Sequence, residues 1–168
     1  MSYTLHNVTE DIEAWFNKDP VRPELSVEFR TEGGREVFGL KDDHGKFKAF
    51  LCMARTTDIP ANTKELDSLT SITGRIAVPY SVWSYQRGAG REIINQVLTL
   101  MQRAKTVSRV ITLSPLTDMA RNFHTRNGAV EVRVNETTVN FEYSTLNSGL
   151  TGSLLNQASI SSVTLCRV

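Results

Sequence analysis

The heptapeptide YQRGAGR, residues 85–91, is the most informative stretch of this chain. Its two glycines, Gly88 and Gly90, directly precede a segment whose apolar residues recur at helical spacing, which predicts a turn that opens a helix. The first amides of a helix have no partner within it and lie at the positive end of the helix dipole. Either this turn binds a phosphate group, with Arg87 and Arg91 adding charge-assisted hydrogen bonds, or the glycines only permit a tight turn and close packing.

Two common nucleotide-binding motifs are excluded at this turn. A dinucleotide-binding Gly-x-Gly-x-x-Gly motif would need a third glycine where Ile93 stands, and no Gly-Lys-Ser or Gly-Lys-Thr follows as in a P-loop. If the turn binds a phosphate, it therefore does so in a motif other than these two.

The segments after this turn alternate between helix and strand. Apolar periodicity, capping residues and turn residues predict a helix over 89–104, a strand over 107–113, a helix that Thr117 caps and Asn127-Gly128 ends, and a hairpin over 130–134 and 139–143. A strand–helix–strand unit takes a right-handed crossover between parallel strands, so the sheet should be mixed.

The segments before the turn are predicted to form an antiparallel meander. Alternating apolar residues and intervening turns predict a short helix over 8–18 and strands over 25–29, 36–41, 47–54 and 69–78, the last of them ended by Pro79. The fold class that follows is α/β (α+β): a mixed, mostly antiparallel, twisted sheet flanked by helices.

Length, charge and cysteine content restrict the function classes. The chain has 168 residues, about the size of one domain. Its 19 basic and 18 acidic residues give a formal charge of +1, which argues against nucleic acid or an anionic membrane as a partner. Short apolar runs and the lack of a secretory signal predict a cytoplasmic protein. Two cysteines, Cys52 and Cys166, are too few for a disulfide framework or a structural zinc site, and no metal is expected.

The order of the elements and one helix motif resemble a known family. The motif is ARNFHTRNGA at residues 120–129. Together they resemble the GNAT superfamily of acyl-CoA-dependent N-acyltransferases, best over residues 69–143. The resemblance implies that residues 1–145 form a GNAT-like domain that transfers an acetyl group from acetyl-CoA to an amine of a small molecule or a protein. Residues 146–168 would be a tail that is flexible or pairs with a partner, for example across a homodimer.

The resemblance also implies cofactor-binding residues. In the family, the strand before the glycine turn pairs with the pantetheine arm, and the turn amides hold the CoA pyrophosphate. These roles carry over to Ile76, Ala77 and Val78 for the arm, to Arg87, Gly88, Ala89, Gly90 and Arg91 for the pyrophosphate, and to Asn122 for a further contact from the motif helix. Tyr85 departs from the pattern, since the family usually has Gln or Arg there, and Gln86 or Arg87 would take over that role.

His124 is the candidate catalytic acid. It stands at the tyrosine that in the family often protonates the departing CoA thiolate, and an ordinary imidazole pKa near 6.5 suits a proton donor at neutral pH. The alternative is a structural histidine, half-buried and hydrogen-bonded. A general base for the amine is not evident, although Glu65 and Asp67 precede the central strand, where the family often places such a carboxylate.

Two short segments are similar to malonyl-CoA decarboxylases, whose catalytic domain is built on the GNAT fold. They are Leu113-Ser114-Pro115 and the segment from His124 to Ala129, and the matching serine and histidine of that family serve decarboxylation. The similarity implies a catalytic role for Ser114, which would otherwise cap the following helix. The sequence thus leaves open N-acetyl transfer, decarboxylation of malonyl-CoA, and a non-catalytic binding module on the GNAT fold.

Overall fold

The computed structural model describes residues 1–145, and the predicted tail at 146–168 lies outside the described residues. Within residues 1–145, eight strands and five α-helices are present, with a short 3-10 turn at Glu32–Gly34. In chain order they are β1 (Tyr3–Asn7), α1 (Ile12–Trp15), α2 (Val27–Thr31), β2 (Glu36–Asp42), β3 (Phe47–Thr56), α3 (Thr63–Leu69), β4 (Ile76–Ser84), α4 (Ala89–Arg103), β5 (Arg109–Ile111), β6 (Ser114–Pro115), α5 (Asp118–Arg126), β7 (Val130–Val134) and β8 (Thr138–Tyr143). No helix in this range is long and apolar enough to cross a bilayer.

One sheet contains all of these strands. Its order is β1-β2-β3-β4-β5-β8-β6, and β7 also pairs with β8. The pair formed by β4 and β5 is parallel, and the other pairs are antiparallel. The parallel pair arises because α4 carries the chain from one strand back to the start of the next. The predicted mixed, mostly antiparallel sheet flanked by helices is confirmed.

Two apolar clusters cover the two faces of the sheet. Neighbouring residues of a strand face opposite sides, so Leu51 belongs to one cluster and Cys52 to the other. The predicted 89–104 helix is confirmed as α4, which buries an apolar stripe against the first cluster. Trp15 of α1 and Leu66 of α3 pack in the second cluster. The sheet is therefore covered on both faces.

The prediction of a strand over 69–78 ended by Pro79 is wrong. The strand β4 begins later and runs through Pro79, while residues 63–69 form α3 after the cap Asn62. Cys52 pairs with Ser81 and Met53 with Pro79, so Tyr80 is an extra residue in β4. Such a bulge is a place where a strand tolerates proline.

The N-terminal third departs furthest from the sequence-based prediction. The helix predicted over 8–18 is reduced to one turn, α1, and β1 precedes it as an edge strand paired with β2. The strand predicted over 25–29 is wrong, because the hydroxyl of Ser26 accepts the N–H of Phe29 and starts α2 there. A local cap therefore overrides an alternating apolar pattern.

Replacing Phe141 by alanine should lower the free energy of unfolding by about 3–5 kcal/mol, the usual cost of a large cavity in a core. Phe141 is fully buried in β8 and packs under the helix motif of α5. Urea denaturation measures the change. The control is Val130→Ala in β7, where Val130 is 66% exposed, with an expected change of about 0.5 kcal/mol or less. Equal losses in the two variants would contradict this view of the core.

Candidate active site

The two parallel strands at the centre of the sheet separate soon after they meet. β4 and β5 pair at only two positions, Ile76 and Ala77. The N–H of Leu113 then donates to the carbonyl of Pro79 at 3.0 Å. Within residues 1–145, no main-chain hydrogen bond joins the two stretches beyond Pro79. A gap therefore opens on that side of β4, with its narrow end at Pro79 and Leu113.

The side chain of Arg22 fills the narrow end of this gap. Its Nε donates to the carbonyl of Tyr80 at 2.7 Å and its Nη2 to the carbonyl of Leu113 at 2.9 Å. Buried carbonyls need a partner, and a charged donor is a strong one. The guanidinium thus satisfies both sides of the gap without closing it.

Beyond the narrow end, one edge of β4 is free. The N–H of Tyr85 bonds to the carbonyl of Lys48 in β3. Alternate residues of a strand point their main-chain groups to opposite edges, so those of Val82 and Ser84 point away from β3. Neither residue finds a main-chain partner on that side among the residues described. An extended ligand with amide groups fits such an edge.

The first turn of α4 lies at the wide end of the gap. Gly88 is its N-cap in the left-handed region, with φ of 87° and no side chain capping the turn. A Cβ on Gly90 would come within 3.3 Å of the ring of Phe123, so the turn packs closely on α5. The amides of Gly88, Gly90 and Arg91 have no hydrogen-bond partner within residues 1–145. Unpaired amides at a helix N-terminus are groups that an anion can accept hydrogen bonds from.

A cavity of about 370 Å³ occupies the gap. It follows β4 from Pro79 to Ser84 and reaches Gly90 at one end and Val21 at the other, with Ser114 and His124 on the opposite wall. Its lining, as far as the chain is described, is mostly apolar and contains no Asp, Glu, Lys or Arg. Ser114 and His124 are among its few polar side chains, with Tyr80, Ser81, Ser84 and Thr117.

The imidazole of His124 is held by a chain of hydrogen bonds. Its Nε2 lies 3.0 Å from Ser114 Oγ and its Nδ1 lies 2.8 Å from the phenol oxygen of Tyr143. Ser114 Oγ donates in turn to Thr112 Oγ1 at 2.8 Å. The ring also stacks on Phe141, with centroids 5.1 Å apart. These contacts hold the ring of His124, on α5, against β6 and β8.

Burial keeps this chain neutral. It lowers the pKa of His124 from its ordinary 6.5 to about 4 and raises the pKa of Tyr143 well above its usual range. The Ser114 hydroxyl donates its proton to Thr112, so its oxygen is the acceptor for Nε2–H of His124. Nδ1 then carries no proton and accepts from the Tyr143 hydroxyl. His124 is then a neutral donor at pH 7, not an imidazolium acid.

The structure brings together only some of the predicted site residues. Gly90, Ser114 and His124 line the cavity. Arg87, Gly88, Ala89 and Arg91 lie at the start of α4, where the side chains of Arg87 and Arg91 are exposed. Asn122 is on α5 but exposed and outside the cavity lining.

Ile76, Ala77 and Val78 do not lie where the prediction needs them. Ile76 and Ala77 pair with β5, so the edge of β4 that would receive a pantetheine arm is occupied there. None of the three lines the cavity. The free edge lies farther along, at Val82 and Ser84. The free edge differs in position from residues 76–78 because the strand runs past Pro79, which the sequence pattern had placed at its end.

Three important residues escaped the sequence analysis. Tyr143 and Thr112 complete the hydrogen-bond chain, and Arg22 fills the gap. The alternation of Val139, Phe141 and Tyr143 would have placed Tyr143 on the inner face of the hairpin. Nothing in the sequence pairs Arg22 with carbonyls 58 and 91 residues away.

The carboxylates considered as general bases lie elsewhere. Asp67 pairs with Arg35 at 3.0 Å, and its side chain is 61% exposed. Glu65 accepts hydrogen bonds at the start of α3. Neither residue lines the cavity, so the described lining offers no carboxylate to accept a proton from an amine.

Similar proteins are found by comparing structures but not by comparing sequences. No protein-family model matches the chain, and no curated protein matches its sequence. The GphF GNAT-like decarboxylase in complex with isobutyryl-CoA superposes with a TM-score of 0.70 at 13% identity, over 84% of this chain and 98% of that one. Malonyl-CoA decarboxylase from Agrobacterium vitis gives 0.68 at 17% identity, over 90% of this chain and 63% of the other.

Acetyltransferases share the architecture as well. A chimera of the spermidine N-acetyltransferase SpeG from Vibrio cholerae and hSSAT superposes with a TM-score of 0.59 at 14% identity, over 91% of this chain and 100% of that one. At such identities the likeness concerns the fold. The separated parallel strands, the glycine turn that opens α4 and these superpositions together show that the chain has the GNAT fold, in the form shared by acetyltransferases and GNAT-like decarboxylases.

Proposed function

We propose that this protein binds an acyl-CoA in the cavity and removes the carboxylate of a malonyl-type acyl group. The observation that carries the proposal is the neutral chain Thr112–Ser114–His124–Tyr143, whose two middle members line a mostly apolar cavity. The similarity in fold to a GNAT-like decarboxylase and to malonyl-CoA decarboxylase supports it.

The wide end of the gap suits the CoA part of the substrate. The unpaired amides of Gly88, Gly90 and Arg91 would hold the pyrophosphate, with the exposed guanidinium of Arg87 adding charge. The free edge at Val82 and Ser84 would pair with the amides of the pantetheine arm, in place of residues 76–78. This direction leads the thioester from α4 toward Ser114 and His124.

The reaction needs little more than a site for the developing oxyanion. The bond between the carboxylate and the α-carbon breaks, CO₂ leaves, and the electron pair moves to the thioester oxygen as an enolate. Water then supplies the proton that the α-carbon takes up. In the free protein Nε2–H of His124 donates to Ser114 Oγ at 3.0 Å and the Ser114 hydroxyl donates to Thr112. Both would exchange these hydrogen bonds for bonds to the developing oxyanion. The mostly apolar lining disfavours the charged carboxylate of the substrate and favours the uncharged CO₂.

Tyr143 and Thr112 act through the two donors. The Tyr143 hydroxyl donates to Nδ1 of His124, so the proton of the neutral ring stays on Nε2. Nε2 is the nitrogen that lies beside Ser114 Oγ. Thr112 orients the Ser114 hydroxyl. The stacking of His124 on Phe141 holds the ring plane. The imidazole and the Ser114 oxygen are therefore held in position before the substrate binds, and only their protons have to turn toward it.

Acetyl transfer from acetyl-CoA to an amine is the second candidate. The similarity in fold to the spermidine N-acetyltransferase chimera supports this candidate. Acetyl-CoA would follow the same path along β4 as malonyl-CoA. In that reaction His124 would donate a hydrogen bond to the departing thiolate as a neutral ring. An amine that arrives as an ammonium ion would have to lose its proton to water, since the described cavity lining has no carboxylate.

Malonyl-CoA incubated with the protein should yield acetyl-CoA without any amine, as seen by mass spectrometry of the thioester. His124→Gln and Ser114→Ala should each lower the rate by about 10²–10³-fold, the usual loss of an oxyanion donor. His44→Gln, the same change in an exposed turn, is the control with unchanged rate. No acetyl-CoA from malonyl-CoA, together with CoA release from acetyl-CoA when amines are added, would contradict decarboxylation and support acetyl transfer.

Arg87→Glu should abolish the thermal stabilisation that CoA gives the wild-type protein, because a carboxylate beside the unpaired amides repels the pyrophosphate. Thermal unfolding with and without CoA measures the effect. Lys105→Glu, at an exposed position after the other end of α4, makes the same change in charge and should leave the stabilisation intact. Equal stabilisation of the Arg87 variant and the wild type would place the CoA phosphates elsewhere.

The rate should stay constant as the pH falls from 7 toward 5 and decline only through about 4. The reason is that the neutral ring is the working form, and the pKa of His124 is lowered to about 4, so protonation comes well below the ordinary 6.5. Initial rates across this range, with circular dichroism to confirm folding, test it. A rate that falls as the pH rises through 6–7 would instead indicate an imidazolium acid.

A further inference from the structure

We propose that the segment Asp19–Arg22 is the wall that limits the size of the acyl group, and that Val21 is the residue that sets the limit. This inference rests on the proposed function in one respect, that an acyl-CoA occupies the cavity. It does not depend on which reaction follows.

The position of Val21 follows from the shape of the cavity. The cavity extends along β4 from Ser84 and Gly90 at the wide end toward Pro79 and Leu113, where the strands meet. A thioester entering from α4 passes Ser114 and His124 and directs its acyl group toward the narrow end. Val21 lines the cavity, and the next residue, Arg22, fills that narrow end.

Val21 is anchored on its N-terminal side by a buried carboxylate. Asp19 Oδ1 accepts the N–H of Val21 at 2.8 Å and that of Arg22 at 3.1 Å. Asp19 Oδ2 accepts from Arg30 Nη1 at 2.7 Å and from Ser81 Oγ at 2.6 Å. The side chains of Asp19 and Arg30 are only 3% and 4% exposed. The loop is therefore tied to β4 through Ser81 and to α2 through Arg30.

Val21 is anchored on its C-terminal side as well. Arg22 holds the carbonyls of Tyr80 and Leu113, and its own carbonyl accepts from Arg30 Nη2 at 2.6 Å. Moving Val21 outward would pull apart a buried ion pair and leave buried carbonyls without partners, both of which are strongly destabilising. A larger acyl group therefore cannot push this wall aside, and it must fit the space that the valine leaves.

The test compares acyl size in binding, with free CoA as the reference for each variant. Dissociation constants of CoA, acetyl-CoA, propionyl-CoA, butyryl-CoA and hexanoyl-CoA are measured by calorimetry for the wild type, Val21→Ala and Val21→Phe. The matched control is Val27→Ala on α2, which is half-buried and outside the cavity lining. Dividing each constant by that of free CoA removes any effect on the CoA part.

We expect Val21→Ala to improve the relative binding of butyryl-CoA and hexanoyl-CoA by about 10-fold. We expect Val21→Phe to weaken the relative binding of propionyl-CoA and longer thioesters by about 10-fold. These are the changes in affinity that one or two methylenes usually cause in an apolar pocket. Val27→Ala should change none of these ratios. Ratios within twofold of the wild type in both Val21 variants, with free CoA still bound, would overturn the inference and leave the proposed function standing. Failure of the wild type to bind CoA or any thioester would overturn both.

Discussion

The separation of β4 from β5 is the constraint on which the rest of the site depends. Two parallel strands that pair at Ile76 and Ala77 would ordinarily continue to pair, and the bulge at Tyr80, with Pro79 beside it, redirects β4 instead. The carbonyls of Tyr80 and Leu113 then lose their strand partners, and the guanidinium of Arg22 satisfies both. A gap inside a sheet is unfavourable unless its polar groups are paired. Arg22 allows this gap to persist and to hold a cavity.

Burial also decides what His124 does chemically. An exposed histidine would titrate near neutral pH, whereas this ring lies between Phe141, Tyr143 and Ser114 and stays uncharged until the pH reaches about 4. The same burial keeps Tyr143 protonated, so one neutral donor orients another. A site of this kind is suited to receiving negative charge on an oxygen atom and is poorly suited to delivering a proton from an imidazolium. That distinction favours decarboxylation over acid-assisted acetyl transfer.

The GNAT fold hosts both reactions among the structures that resemble this chain, so the fold alone does not choose between them. The residues proposed to select between decarboxylation and acetyl transfer lie on the cavity wall opposite β4. Ser114 and His124 come from the segments that precede and form α5, and Val21 comes from a loop far away in sequence. The buried Asp19 ties that loop to β4 through Ser81 and to α2 through Arg30. In the proposed function, the CoA path runs along β4 and the N-terminus of α4, and Ser114, His124 and Val21 surround the acyl end of the cavity.

The sequence by itself determined the second half of the fold, because local signals there agree with one another. The apolar stripe of α4, the cap Thr117, the left-handed Gly128 and the alternation in β8 are each short-range features, and they placed His124 correctly on its helix. Ser114, expected to follow the strand as a helix cap, lies instead in β6, and Thr117 is the cap. The cap Ser26 that starts α2 is also a local signal, although the alternating apolar pattern masked it. The tertiary structure alone decided that β4 continues through Pro79 and that Tyr143 and Arg22 reach the site. The reason is physical: a bulge depends on the partner strand, and buried charges and hydroxyls find partners 19 to 91 residues away that no local pattern encodes.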